Sequence, residues 1–308
     1  MQESNFGQQQ PKAQKKGKAS TAQVAAKKKQ VSDAAKGVKA AEPTIKVRTV
    51  TDINVKVDKD RVQDVDETRV PASIVFMGHV DAGKSTICGQ LMYKMGCVDQ
   101  RQIEKYQQEA KKLGRDSWWL AYCMDNNEEE KAKGKTVEVG RATFNTSKKQ
   151  YTVLDAPGHK DYVPNMIMGA ALADLAGLVI SARKGEFEAG FEKDGQTREH
   201  LQLARSLGVQ KLIVVVNKMD EPSVSWRKER YDEIVDKLGP FLASQGYEAG
   251  DVTYVPISGL GGDNILELVD PAVCAWYKGS TLIHIMDNIP VDARKADAPL
   301  RIPILEKV

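Results

Sequence analysis

A buried strand that breaks into a glycine-rich loop and then a helix leaves a chain few folds to choose from. Here Ser73 to Met77 (SIVFM) runs straight into Gly78-His79-Val80-Asp81-Ala82-Gly83-Lys84-Ser85. The string fits GxxxxGK[ST], and it stands in the context that gives the pattern its meaning, after a strand and before a helix expected over Lys84 to Met95. The glycines let the backbone curl so that its N–H groups and the helix N-terminus surround phosphates. Lys84 is placed to reach the β and γ phosphates and the Ser85 hydroxyl to ligate magnesium. His79 to Thr86, with Val80, Asp81, Ala82 and Gly83 between, form the expected phosphate cradle.

From Ala72 onward, short β-type runs alternate with longer amphipathic stretches, the pattern of a parallel sheet covered by helices on both faces. Further strands are expected at Arg141 to Thr146, Gln150 to Leu154, Leu175 to Ser181, Leu212 to Val216 and Val252 to Pro256. Helices are expected at Asp161 to Ala173, Thr197 to Leu207 and Arg227 to Gln245. The economical reading is one doubly wound α/β domain over residues 71–294.

The flanks differ. Residues 1–50 carry eleven Lys and Arg against three acids, a net of +8, although the whole 308-residue chain is only +3. Residues 1–70 have too few large apolar side chains to offset ordering entropy, so a disordered basic segment is expected. A basic excess confined to a tail suggests RNA or another polyanion as its neighbour, because Lys and Arg release counterions from phosphates. Residues 295–308 read as a linker and the first strand of a further, truncated β-barrel domain, since Leu300 to Leu305 has nothing of its own to pair with. Cys88, Cys97, Cys123 and Cys274 show neither CxxC spacing nor interleaved histidine pairs, and read as reduced thiols. With no apolar leader in residues 1–30 and no spanning segment, cytoplasm is the expected location and no membrane is expected as a partner.

The glycine-rich loop does not separate adenine from guanine. Asn217-Lys218-Met219-Asp220 does, because it follows the most apolar strand and so lies at its carboxyl end, beside the same crevice. A carboxylate at Asp220 can accept two hydrogen bonds, from the guanine N1–H and the 2-amino group; adenine offers no such pair. Sites built on such bonds reject analogues by ~10⁴ to 10⁵. Asn217 is expected to brace the loop, and the stem of Lys218 to cover the base. Ser258-Gly259-Leu260 supplies a candidate backbone N–H for the guanine O6.

Asp155-Ala156-Pro157-Gly158-His159 closes another strand with DxxG. Asp155 is placed to hold magnesium through water. Gly158, without a Cβ, lets its N–H approach the γ phosphate. His159 is the expected orienter of the attacking water. Between the two motifs, Asn126 to Gly140 is too polar for a core and too long for a tight turn, and a long loop in such a place is usually functional. Thr136 is its natural second magnesium ligand, ordered when a γ phosphate is present. Glu128 to Glu130 read as a charged helix face.

GHVDAGKST, DAPGHKDYVPNMI, NKMD and GEFEAGFEKDGQTREH together resemble the eukaryotic elongation-factor-like branch of translational GTPases. Within that branch, MDNNEEEKAKGKTVEVGRATF and SARKGEFEAGF resemble the GTPase release factors of translation termination. The resemblance covers residues 70–308. It implies a Ras-like G domain that binds GTP or GDP with magnesium, hydrolyses GTP on the ribosome, and is followed by two β-barrels that bind the stop-codon-reading factor. It assigns phosphate contacts to Asp81 through Thr86, magnesium to Ser85 and Thr136, water positioning to His159, and guanine to Asn217 and Asp220. One departure from tRNA-carrying factors is Lys135, where they carry an apolar residue thought to gate the histidine with a P-loop valine; Val80 is kept. Ribosome-rescue and tRNA-delivering GTPases are rivals that GKTVEVGRA disfavours. The GTPase subunit of sulfate activation is a more distant rival that shares the P-loop and DxxG. A non-hydrolysing scaffold is disfavoured by His159, Thr136 and Gly158.

Overall fold

Continuous apolar runs, rather than alternating ones, fill the middle strands, as a parallel sheet buried on both faces demands. In the structure, a computed structural model describing residues 69–124, 136–191 and 195–291, these runs form β1 (Val70–Gly78), β4 (Leu175–Ser181) and β5 (Lys211–Asn217), with the partly buried β6 (Val252–Pro256) at the edge. Every residue of β4 is buried. The six-stranded sheet has the order β2-β3-β1-β4-β5-β6. Its pairs are parallel except for β2 (Gly140–Asn145) against β3 (Lys149–Asp155), which run antiparallel with Gly140 opposite Asp155. That hairpin is the pair of strands expected around Lys148 and Lys149.

Helices cover both faces. On one, α1 (Lys84–Lys94) buries Ile87, Cys88 and Leu91 against Ile74, Phe76, Val179 and Val215, joined by α7 (Leu282–Asn288). On the other, α3 (Val163–Ala171), α5 (Gln196–Ser206) and α6 (Lys228–Ser244) bury Met166, Leu201, Ile234 and Leu238 against Val75, Leu178 and Val214. Each of the four helices expected from sequence is present within a few residues of its expected bounds. The expected start at Asp161 is a short 3₁₀ turn, Lys160–Tyr162, ahead of α3, where Pro164 fits the first helical turn. Three helices were not anticipated: α2 (Gln100–Lys112), α4 (Glu186–Phe191) and α7; nor was the 3₁₀ segment Asp116–Cys123.

Strand order reverses at β1, which has β3 on one side and β4 on the other although both follow it in the chain. Ligands of such sheets sit outside the carboxyl ends of the strands at that point. There the chain leaves β1 through residues 79–83, β3 through residues 156–159 and β5 through residues 218–220. Among the described residues no helix is long and apolar enough to cross a membrane. The basic tail, Glu128 to Glu130, Lys135 and the expected strand Leu300 to Leu305 lie outside the described residues.

Candidate functional site

At the carboxyl ends of the strands lies an open cavity of about 570 Å³, within the range of small-molecule sites. Val80, Asp81, Gly83, Lys84, Ser85, Thr86, Thr136, Gly158, His159, Asn217, Lys218, Asp220 and Leu260 line it. Residues expected from five separate stretches of sequence thus meet around one volume.

At one end the loop after β1 turns through Asp81 at φ 61° and Gly83 at φ +95° before α1 begins. A non-glycine residue held in the left-handed region stores strain that surrounding structure must impose, and such residues cluster at binding sites. Lys84, 7% exposed, donates from Nζ to the His79 carbonyl at 2.9 Å. Burial depresses its amine, while the charges of Asp155 and Asp81 pull the other way. A buried ammonium beside one carbonyl is suited to an anionic ligand that completes its partners. Gly158 closes over this end: a Cβ there would stand 2.5 Å from Lys84 Nζ and 3.0 Å from the Val80 nitrogen. Only glycine permits that approach.

The expected magnesium ligands meet here too. Ser85 Oγ and Thr136 Oγ1, 51 residues apart in sequence, lie 3.1 Å from one another. Asp155, fully buried at the end of β3, is close enough for its charge to act on Lys84. Two hydroxyls and a carboxylate are an all-oxygen donor set of the kind hard divalent cations take, so the residues present fit magnesium.

At the other end Asn217 is a buried tie. Its Nδ2 donates to the Ala82 carbonyl at 2.8 Å and its Oδ1 accepts from the Gly259 N–H at 2.8 Å, so one side chain joins the first loop to the last. Ser258, fully buried, supports the turn by accepting from the Gly261 N–H at 2.9 Å. Ser258 and Gly259 therefore shape the wall without lining it, and Leu260 lines it. Lys218 stands at φ 63° and donates to Glu186 Oε2 at 2.7 Å. Burial alone would raise Glu186, but hydrogen bonds from Lys218 and Ser181 and the charges of Lys218 and Arg183 hold it below its ordinary value. Asp220 is exposed at the rim.

His159 lines the cavity with its side chain 28% exposed. Its Nδ1 accepts from the Asp161 N–H at 3.3 Å and lies 3.3 Å from the Asp161 carboxylate.

His79 does not line the cavity. Its ring faces the opposite side of the loop, where the Gln196 amide, oriented to donate, lies 2.8 Å from both His79 Nδ1 and the Gly158 carbonyl and accepts from the Lys160 N–H at 3.2 Å. Burial and then the charge of Lys84 lower the pKa of His79. Ala82 is buried and contributes its carbonyl; Asp155 is beneath the cavity floor. Ser117, Trp118, Ala121, Arg183, Glu186 and Glu221 also line the cavity, and none of them belongs to the phosphate, magnesium or base motifs read from the sequence. Gln196 and His200 carry no spacing signal; both sit in the QTREH stretch, and only the fold brings them under the loop.

The Elongation factor Tu GTP binding domain family matches residues 71–277. The eukaryotic peptide chain release factor GTP-binding subunit of Kluyveromyces lactis is 54% identical over 254 residues, covering 82% of this chain and 36% of that protein. The subunit of the same name in Schizosaccharomyces pombe is 50% identical over 274 residues, covering 88% of this chain and 41% of its own length. The chain thus spans well under half the length of these curated relatives. Among solved structures, sup35 complexed with GDP aligns at 42% identity with a TM-score of 0.56, covering 79% of this chain and 50% of that one.

Proposed function

We infer the function from membership: the chain belongs to the Elongation factor Tu GTP binding domain family, and its relatives there are release factor GTP-binding subunits. It binds GTP and GDP, hydrolyses GTP to GDP and phosphate, and serves translation termination as the GTPase that assists a stop-codon-reading release factor on the ribosome. Its place of work is the cytoplasm, and the basic tail adds contacts to RNA. The G domain is residues 71–294, with the first strand of a barrel domain after it.

The observation that carries this reading is the double tie at Asn217. It fixes the NKMD loop to the phosphate loop on one side and the Ser258–Leu260 turn on the other, so base-reading and phosphate-holding groups share one rigid frame. Asp220 takes the guanine N1–H and 2-amino group. With the Gly259 N–H committed to Asn217, Leu260 is the backbone donor for O6. Lys218, steadied by Glu186, covers the base with its stem. Lys84 and the loop N–H groups hold the phosphates.

Ser85 and Thr136 would ligate magnesium, with Asp155 behind them through water. When bound, the ion supplies positive charge against the charge that develops on the transferred phosphoryl group. Gly158 brings its N–H close to the γ phosphate because nothing projects from its Cα. His159 orients the attacking water from the cavity wall.

Replacing Asp220 tests the reading. In Asp220→Asn the amide donates where the carboxylate accepted, which suits the 2-oxygen of xanthine and opposes the 2-amino group of guanine. GTP affinity is expected to fall by at least ~100-fold while xanthosine triphosphate affinity rises. Unchanged GTP affinity in a titration of the variant would remove Asp220 from the base site.

A further inference from the structure

The 3₁₀ segment Asp116–Cys123 lies across α1, so close that a Cβ on Gly89 would run into the Leu120 carbonyl. Its packing is done by three side chains. Leu120 and Tyr122 are buried, and Trp119 sets its ring edge-on to Tyr93 of α1 with centroids 5.6 Å apart. Trp118 is the neighbouring indole. Half-buried, it lines the cavity with Ser117 and Ala121, in the wall that also includes Ser85, Asn217 and Asp220. The Arg115 guanidinium lies 4.2 Å from its ring centre.

A large indole with its packing duties met by its neighbours, standing in the wall of a cavity and backed by a cation, is arranged to meet a ligand with a flat face and negative charge. Nucleosides have the first and their phosphates the second. We propose that Trp118 is a nucleotide-contacting residue, its indole covering the sugar and base flank of the bound guanine nucleotide with Arg115 stacked behind it. The inference rests on the guanine-nucleotide reading of the cavity and adds an aromatic contact outside the phosphate, magnesium and base motifs. An indole face accepts any base, so the contact adds affinity without selectivity, and guanine preference stays with Asp220. The guanidinium of Arg115 adds attraction that salt weakens.

The test is titration of the chain with GDP, read by calorimetry and by indole emission, in wild type, Trp118→Phe and Trp118→Ala. The wild-type chain has four tryptophans, so the wild-type signal minus that of Trp118→Phe isolates Trp118. GDP is expected to change that difference signal. Trp118→Ala is expected to raise Kd by about fivefold or more, with Trp118→Phe intermediate and the preference for guanine over xanthine unaltered. A flat difference signal, or a Kd for Trp118→Ala equal to wild type, overturns the assignment of Trp118 and leaves the nucleotide reading standing. If Trp118→Ala fails to fold, the difference signal between wild type and Trp118→Phe decides alone. Failure of the wild-type chain to bind GDP overturns the nucleotide reading and this inference with it.

Discussion

Nothing larger than hydrogen fits on the Cα of Gly158, because the space is already shared by Lys84 Nζ and the Val80 nitrogen. The consequence is confined to the phosphate end, since the base groups are at the far end of the cavity. Gly158→Ala is therefore expected to leave GDP affinity within about threefold and to weaken a GTP analogue by at least ~10-fold, and equal losses for both nucleotides would contradict that placement. His159 presents a different case, being on the wall and touching Asp161 and Tyr162 rather than any base-reading group. His159→Ala in the full-length protein is expected to keep nucleotide binding and lose ribosome-stimulated turnover by at least ~100-fold. Equal stimulated rates would make the ring structural. His200 adds a pH dependence. Burial foremost, then the charges of Lys84 and His79, push its pKa down to about 4, although the Gly78 backbone hydrogen bond pulls upward. The unfolded chain, with an ordinary histidine near ~6.5, takes up the proton first as pH falls. Stability is then complete above that value and is lost on acidification towards pH 4, by about 2 kcal/mol at pH 5. Urea unfolding at pH 7 and pH 5 checks this, with a flatter dependence expected for His200→Gln and an identical one counting against it.

At the scale of elements, α7 is too short to hold itself together. The β2–β3 turn holds it instead. Lys149, only 6% exposed, donates to the carbonyls of Met286 and Ile289 at 2.8 and 2.5 Å; Thr146 donates to Asp287 and Lys148 to Asn288. A cation at the unsatisfied carbonyls of a helix C-terminus is favourably placed. Lys149→Met leaves those carbonyls buried without their donor and is expected to cost about 2 to 3 kcal/mol in urea unfolding; a loss below about 0.5 kcal/mol would mean that α7 docks through its apolar side chains alone. The elements legible in sequence were those with contiguous signals. The strands stood out as apolar runs, and α1, α3, α5 and α6 as stretches beside them. By contrast, α2 is polar almost throughout and buries only Ile103 and Ala110, while α4 and α7 are six and seven residues long. The site divides in the same way. Its three loops are strings that can be read along the chain. Trp118, Glu186 and Glu221 belong to no such string, and only the fold brings them to the cavity.

Taken whole, the molecule gathers the loops after β1, β3 and β5 at the strand-order reversal and closes them with Asn217. What it does not gather is a free arginine at the phosphate end. Arg183 is the one arginine lining the cavity among the described residues, and Glu186 and Glu221 hold it at 3.3 and 3.4 Å on the NKMD side. Without an arginine to add to the charge that the lysine and magnesium supply, P-loop GTPases turn over at ~10⁻⁴ to 10⁻³ s⁻¹, and stimulation from outside can add ~10⁵-fold, roughly 7 kcal/mol of barrier. The proposed guanine site is thus complete for binding and waits for its stimulus. Single-turnover hydrolysis, with the 308-residue chain in excess over γ-labelled GTP or ATP and magnesium present, tests this most directly. The account predicts GTP cleavage at about 10⁻³ s⁻¹ or slower and no cleavage of ATP; comparable rates for the two nucleotides, or GTP turnover near 1 s⁻¹ without ribosomes, would contradict it.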